Sequence, residues 1–321
     1  MTHSSFASAG PVLFIGGWGR SGSTMVERLL GELDDVVALG EVVHLWKRGL
    51  ELNERCACGE RFHDCGFWQR TGDVAFGGWN NVSPQRLTFL KDAVDRHRRV
   101  VHTLKRTPSA SLRPLIIEYA SYFQKVYAAA QRITGARVVE DSSKEVPTAL
   151  AISHHPRLDL RVAHLVRDSR GVAFSWAKKV QRPETDSTKL MTRYSSAKST
   201  LFWLSGNLLP EGLKYRKVPT CRIRYEDVVL EPQATLAHVW EQLNLPGEVH
   251  LLVNNDSEVE LRITHSVSGN PMRFKHGLTR IRPDEEWKER MGHLDRAIVT
   301  SLSFPLLRHY GYPIRNGRRE A

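Results

Sequence analysis

The sequence predicts an α/β fold in three layers, with a central parallel sheet between helices. Three observations predict it. Apolar, β-branched runs open the segments 12–15, 137–144, 160–166 and 218–227, as suits strands buried on both faces. Glycine-rich or polar turns end these runs, and helical periodicity follows the first and third, from Ser23 and from near Ser169. The 321 residues are 41% hydrophobic, enough for one large α/β domain over 1–321 that carries an insertion.

The first strand, 12–15, is bounded by Pro11 and Gly16. Gly16, Gly17, Gly19 and Gly22 then break periodicity and admit turns closed to other residues. The helix from Ser23 places Met25, Leu29 and Leu33 on one face, with Glu27, Arg28 and Glu32 around it. Such a loop aims free N–H groups and the positive helix end at one point, which favours phosphate or sulfate there. Gly17 to Thr24 has the spacing of the nucleoside-triphosphate loop G-x-x-x-x-G-K-[ST], but Ser23 stands where the lysine belongs. The loop's only cation is Arg20, so it suits a smaller anionic group than a magnesium triphosphate.

Arg20-Ser21-Gly22-Ser23-Thr24 resembles the 5′-phosphosulfate loop of sulfotransferases that use 3′-phosphoadenylyl sulfate (PAPS). Later segments resemble further parts of that family, in the family's order. Arg167 ends the strand 160–166, and Ser175 follows eight residues on. In the family an arginine and a serine so spaced bind the 3′-phosphate, for which the guanidinium fork is well shaped. Tyr225, in the segment 218–227, takes the place of a tyrosine near the adenine. Arg273, Lys275 and Gly277, followed by Trp287-Lys288, resemble a late basic loop that closes over the 3′-phosphate. The resemblance spans nearly the whole chain apart from residues 47–135. It implies a P-loop NTPase-like fold, PAPS as donor and adenosine 3′,5′-bisphosphate as product. It implies no metal, because loop donors and cations balance the transferring charge.

The same family points to a general base. The apolar run 36–46 is cut by Gly40, and Glu41 follows at once. Gly40-Glu41 matches, in order and spacing, a pair that supplies the base in tyrosylprotein-type and some bacterial sulfotransferases. A carboxylate that takes the acceptor's proton is worth ~10²–10⁴-fold in rate, and the apolar neighbours of Glu41 predict a raised pKa. His102 is the rival, since cytosolic sulfotransferases use a histidine on a strand and 100–106 reads as a strand. Ser143 and Lys144 end the segment 137–144, at the edge where open α/β sheets bind ligands. The resemblance puts them near the sulfuryl group, with helix capping by Ser142 or Ser143 as the alternative.

Residues 47–135 read as an insertion near the acceptor pocket. Within it, Cys56, Cys58 and Cys65 surround His63, a set that leaves open a tetrahedral zinc site, a disulfide or reduced thiols. Helices are expected over 109–134, with Leu115, Ile116, Tyr119, Phe123, Val126 and Tyr127 on an apolar stripe. Others are expected within 189–214, where Tyr194 and Trp203 edge the acceptor pocket, and over 232–243 and 294–312. The net charge of +11 suits an anionic cofactor. Basic clusters at 96–99 and 315–319 lack interleaved aromatics, so nucleic acid is not expected. No apolar run reaches membrane-span length, and the polar N-terminus lacks a signal pattern, so a cytoplasmic location is expected. The acceptor is left open among small molecules, lipids and carbohydrates. Two other readings stand beside this one: a P-loop small-molecule kinase dependent on Mg-ATP, and a non-catalytic anion-binding protein indifferent to Glu41→Gln.

Overall fold

The computed structural model describes residues 10–181, 191–254 and 257–314. The basic cluster at 315–319 and the first residues of the segment 189–214 lie outside the described residues. The chain opens with β1 (Val12–Gly17), α1 (Ser23–Leu30) and β2 (Val36–Ala38). Then come α2 (Gly66–Phe76), α3 (Pro84–Val94), α4 (Val100–Thr103) and α5 (Arg113–Thr134). The sheet resumes with β3 (Val138–Lys144), α6 (Val146–Ile152), β4 (Leu160–Val166) and α7 (Ser169–Ala177). Next are α8 (Ser196–Leu208), α9 (Pro210–Tyr215), β5 (Thr220–Arg224), α10 (Tyr225–Leu230) and α11 (Pro232–Gln242). The chain ends with β6 (Glu258–Leu261), β7 (Gly277–Arg280), α12 (Glu286–Arg290) and α13 (His293–His309).

Strands β2-β3-β1-β4-β5 form one sheet, and every pairing in it is parallel. Alternation along β1 builds the layers. Val12 and Phe14 pack into one core with α5 and α6, and Leu13 and Ile15 pack into another with α1 and α11. Both faces are therefore buried, which is why the strands read as unbroken apolar runs. Strands β6 and β7 pair apart from the sheet as an antiparallel ribbon.

Several sequence expectations change here. The segment 137–144 does not leave the sheet after Val139; β3 runs on to Lys144 with Glu140, Asp141, Ser142 and Ser143 buried. Partners make this tolerable: Tyr127 Oη donates to Asp141 at 2.5 Å, and Ser142 Oγ donates to Glu27 at 2.7 Å. Neither Ser142 nor Ser143 caps a helix; Glu145 precedes α6. Glu27 and Arg28, beside the apolar face of α1, are themselves fully buried. Arg28 donates to Thr264 Oγ1 and to the carbonyls of Arg262 and Lys275, so it ties α1 to the chain beyond β6.

Residues 47–135 lie in the connection between β2 and β3. The expected stripe on α5 is present, with Ile116, Tyr119, Phe123, Val126 and Tyr127 all buried. The expected strand at 100–106 is not: α4 continues a turn over His97–Arg99, and Thr103 Oγ1 bonds back to the carbonyls of Arg99 and Val100. His102 is exposed on that short helix. His63 is also exposed, with Nε2 3.0 Å from the Leu50 carbonyl. His265 takes its place beside the three cysteines.

Candidate active site

The loop between β1 and α1 has a backbone few residues can adopt. Gly17 lies at φ 141°, and a Cβ there would sit 2.5 Å from the Leu165 carbonyl oxygen. Gly22 lies at φ 94°, where a Cβ would meet Tyr225 Cδ2 at 2.2 Å. Arg20 is held at φ 69° although it is not glycine. The Trp176 indole donates to Gly19 O at 3.0 Å, and the Arg20 guanidinium lies 5.3 Å from the Trp176 ring centre. Ser21 Oγ is buried without a hydrogen-bond partner. The Ser23 and Thr24 N–H groups that open α1 have no intrahelical acceptor, whereas the Met25 N–H donates to Gly22 O at 2.9 Å. Ser23 and Thr24 of that turn line a cavity of about 500 Å³.

A carboxylate and an ammonium group share this cavity. Gly40, at φ 76°, abuts Val267, and the Glu41 N–H donates to Val267 O at 2.9 Å. The Glu41 side chain forms an ion pair with Lys144 Nζ, and its other oxygen lies 3.3 Å from His44 Nε2. Both partners of the ion pair are nearly enclosed, with side-chain exposures of 12% and 15%. Burial pushes the Glu41 carboxyl up, but the charge of Lys144, then His44, then the Lys144 hydrogen bond, together with Arg48, outweigh it and hold it down at about 2. The expected rise is thus reversed, because charged neighbours outweigh apolar ones. Burial lowers the His44 imidazole to about 3, against the opposing pull of Glu41. Lys144 is itself held at φ 65° and donates to Ser142 O at 3.1 Å. Ser143 Oγ accepts from the Val43 N–H at 2.9 Å, which braces the turn carrying Glu41.

Another wall comes from the C-terminal end of β4. Arg167 donates to Arg20 O at 3.2 Å, and to Asp284 through its carbonyl at 2.9 Å and its carboxylate at 3.1 Å. Its guanidinium lies 4.6 Å from the Tyr225 ring centre, and Tyr225 Oη accepts from the Asp284 N–H at 3.3 Å. Burial raises the Asp284 carboxyl, but Arg167 overrides this and the net shift is downward. Ser175 on α7 lines the same cavity.

A sequence model of the sulfotransferase family matches residues 11–249 of this chain. The chain belongs to the sulfotransferase family. Carbohydrate sulfotransferase 1 of Mus musculus is 28% identical over 198 residues, covering 55% of this sulfotransferase and 44% of that relative. The Homo sapiens protein of the same name is 27% identical over the same shares. This sulfotransferase therefore spans under half the length of the relatives it matches. Among solved structures, a sulfotransferase domain from the curacin biosynthetic pathway superposes with a TM-score of 0.50 at 17% identity. That superposition covers 96% of this chain and all of the other, and it supports the three-layer fold.

Most sequence-predicted site residues of the sulfotransferase meet at one cavity: Arg20, Gly22, Ser23, Thr24, Glu41, Lys144, Arg167, Ser175 and Tyr225. Ser21 is buried in the same loop. The late basic residues do not join them. Arg273 is buried and donates to the carbonyls of Ser266 and Arg55, so its charge braces backbone. The Lys275 side chain is exposed, and Gly277 begins β7. Gly269, Asn270 and Met272 reach the cavity from that loop instead. Trp287 packs against the buried Arg170, 4.8 Å from ring centre to guanidinium, and Lys288 pairs with Glu285. His102 is not at the cavity lining, whereas His44, Arg48, His97 and Asp284 are. Only His44 left a sequence signal, its i,i+3 spacing from Glu41; the other three arrive through tertiary packing. Among the described residues, no helix is long and apolar enough to cross a membrane.

Proposed function

We propose that this sulfotransferase moves the sulfuryl group of PAPS onto a carbohydrate hydroxyl, with Glu41 as general base. The observation that carries the reading is the enclosed Glu41–Lys144 pair sharing one cavity with the glycine loop and Arg167. The residues fit an adenosine phosphosulfate. Ser21 Oγ is buried and unpartnered, the first turn of α1 offers N–H donors, and Arg20 adds a charge. No lysine stands at the place where a nucleoside-triphosphate loop needs one, which counts against a kinase.

When bound, PAPS supplies an activated sulfuryl group on a phosphate leaving group. Arg20 and the Ser21, Gly22, Ser23 and Thr24 donors hold the 5′-phosphosulfate. Arg167 and Ser175 hold the 3′-phosphate, and Tyr225 packs beside the adenine. Lys144 stabilises the charge on the transferring oxygens. Drawing Lys144 towards those oxygens loosens its hold on Glu41, which raises the carboxyl from its strongly depressed value towards a useful base. Glu41 then accepts the acceptor's proton. His44, with Nε2 3.3 Å from the other carboxylate oxygen, orients it.

The carbohydrate acceptor is supported by the likeness to carbohydrate sulfotransferases and by the cavity's pairing of polar side chains with the Trp176 and Tyr194 rings. In this reading 1–321 is one domain, and residues 47–135 form the acceptor-side wall through Arg48 and His97. The test is calorimetric titration with adenosine 3′,5′-bisphosphate beside Mg-ATP, followed by PAPS turnover on a panel of sugars. Tight bisphosphate binding with weak Mg-ATP, and sulfation of a sugar hydroxyl, is expected. Preference for Mg-ATP would overturn the donor, and turnover confined to lipid or phenolic acceptors would overturn the acceptor.

A further inference from the structure

Outside the cavity lining, four donor side chains converge. Cys56, Cys58, Cys65 and His265 place three sulfurs and Nδ1 within 4.8 Å of one another. Cys65 Sγ lies 3.6 Å from Cys56 Sγ, 3.7 Å from Cys58 Sγ and 3.3 Å from His265 Nδ1. Cys56 Sγ lies 3.8 Å from the same nitrogen. These are too long for a disulfide, which needs about 2.05 Å. They are close to the edges of a zinc tetrahedron. Bonds of about 2.3 Å to sulfur and about 2.0–2.1 Å to nitrogen imply edges of about 3.8 Å between sulfurs and about 3.5 Å from sulfur to nitrogen.

We infer that Cys56, Cys58, Cys65 and His265 form a structural zinc site that clips the 56–65 loop to the segment carrying Val267 and Arg273. Three soft thiolates and an imidazole in a tetrahedron select zinc over harder ions. The site is closed, with four protein ligands and no open position, as structural rather than catalytic zinc requires. On binding, the three thiols release their protons to solvent and the imidazole coordinates through Nδ1.

The surroundings orient the ligands. The His265 ring stacks on Phe67 at 4.9 Å with planes 5° apart, and its carbonyl accepts from the Trp68 indole at 2.8 Å. The tight turn at the first two cysteines is closed by Gly59, whose N–H donates to Cys56 O at 2.9 Å from φ 94°. The clip is fastened further by the Ala57 N–H to Ser266 O at 3.1 Å and by Arg273 to Arg55 O at 2.8 Å. From there the chain passes to Val267, which bridges to Gly40 beside Glu41, and to Gly269 and Asn270 at the cavity. The metal would therefore position the cavity wall without touching the reacting groups.

The test reads metal, not turnover. Full-length wild-type protein, purified without chelator from zinc-supplemented medium, is expected to hold about one zinc per chain by native mass and elemental analysis. Cys58→Ser and Cys65→Ser are expected to lose at least about nine-tenths of it, His265→Gln most of it, and His63→Ala none. Since a cysteine variant can fail to fold, wild-type protein from cobalt-supplemented medium provides a second readout. It is expected to show tetrahedral d–d bands and thiolate-to-cobalt charge transfer. Wild-type protein with under ~0.1 equivalents of metal and no cobalt spectrum overturns the inference. So does a disulfide among the three cysteines in peptide maps, or full zinc in both serine variants.

Discussion

Replacing Arg167 by alanine gives the most direct measure of the donor half of the site. The guanidinium side chain is only 6% exposed, so solvent screens it little. Charge-assisted hydrogen bonds are worth ~1.5–3 kcal/mol, and truncating one member of a buried charge pair costs ~2–5 kcal/mol. A loss of ~2–4 kcal/mol corresponds to about 30- to 700-fold weaker binding of adenosine 3′,5′-bisphosphate. Arg167 does not wait unpaired, however: Asp284 holds it at 3.1 Å, and the 3′-phosphate must compete with that carboxylate. Asp284→Asn should therefore act in the opposite direction. The carboxylate is 38% exposed and partly screened, which limits the gain to ~1 kcal/mol, or about fivefold tighter binding. Arg167→Lys keeps the charge but loses the fork, so its affinity should fall between wild type and Arg167→Ala. The assay is calorimetry at fixed ionic strength, with thermal melting to confirm that each variant is folded. Wild-type affinity in a folded Arg167→Ala protein, or tenfold weaker binding in Asp284→Asn, would refute the assignment of this wall to the 3′-phosphate.

Four further outcomes follow from the geometry. Glu41→Gln should cut turnover ~10²–10⁴-fold with bisphosphate affinity near wild type, while His102→Ala leaves turnover intact; the reverse pattern would exchange the two roles. Lys144→Ala removes the largest influence opposing burial, so the Glu41 carboxyl should rise from about 2 to above its ordinary value. An acid limb should then enter the pH profile of kcat/KM above pH ~5, where the wild type is flat, and an unchanged profile would show that Lys144 does not hold Glu41 down. Gly22→Ala forces a Cβ at φ 94° into Tyr225 at 2.2 Å, so bisphosphate binding should be lost, and a variant that still binds like wild type would mean the loop adapts. Glu140 is fully buried, and burial raises its carboxyl well above the usual range. A raised folded-state pKa contributes stability that is full below the unfolded value of ~4.3 and is lost as pH rises; Glu140→Gln should flatten that decline in denaturant unfolding between pH ~5 and ~8.

What the sequence made legible was whatever a short stretch could specify by itself. The strand, glycine loop and helix at 12–30 owe their form to local periodicity and to glycines at φ 141° and 94°, so β1 and α1 fall where the pattern puts them. Arg167 and Ser175 were legible for the same reason, as a strand end followed by two helical turns. The misreadings share another cause. Glu27 and Arg28 flank the apolar face of α1 in the sequence pattern, which does not show their full burial: Ser142, Thr264 and Ser266 arrive from more than 100 residues away to satisfy them. The apolar neighbours of Glu41 suggested a raised carboxyl, and Lys144, 103 residues on, reverses the sign. Arg273 looked like a phosphate ligand until the carbonyls of Ser266 and Arg55 took its donors. His63 lay among the cysteines in sequence, yet the imidazole they meet is His265, 200 residues from Cys65. In each case a charged or polar side chain was assigned by its neighbours in sequence and acts through a partner distant in sequence. An apolar residue needs only a face to be buried on, which periodicity reveals. A buried polar group needs a particular atom to answer it, and only the assembled fold shows which atom that is.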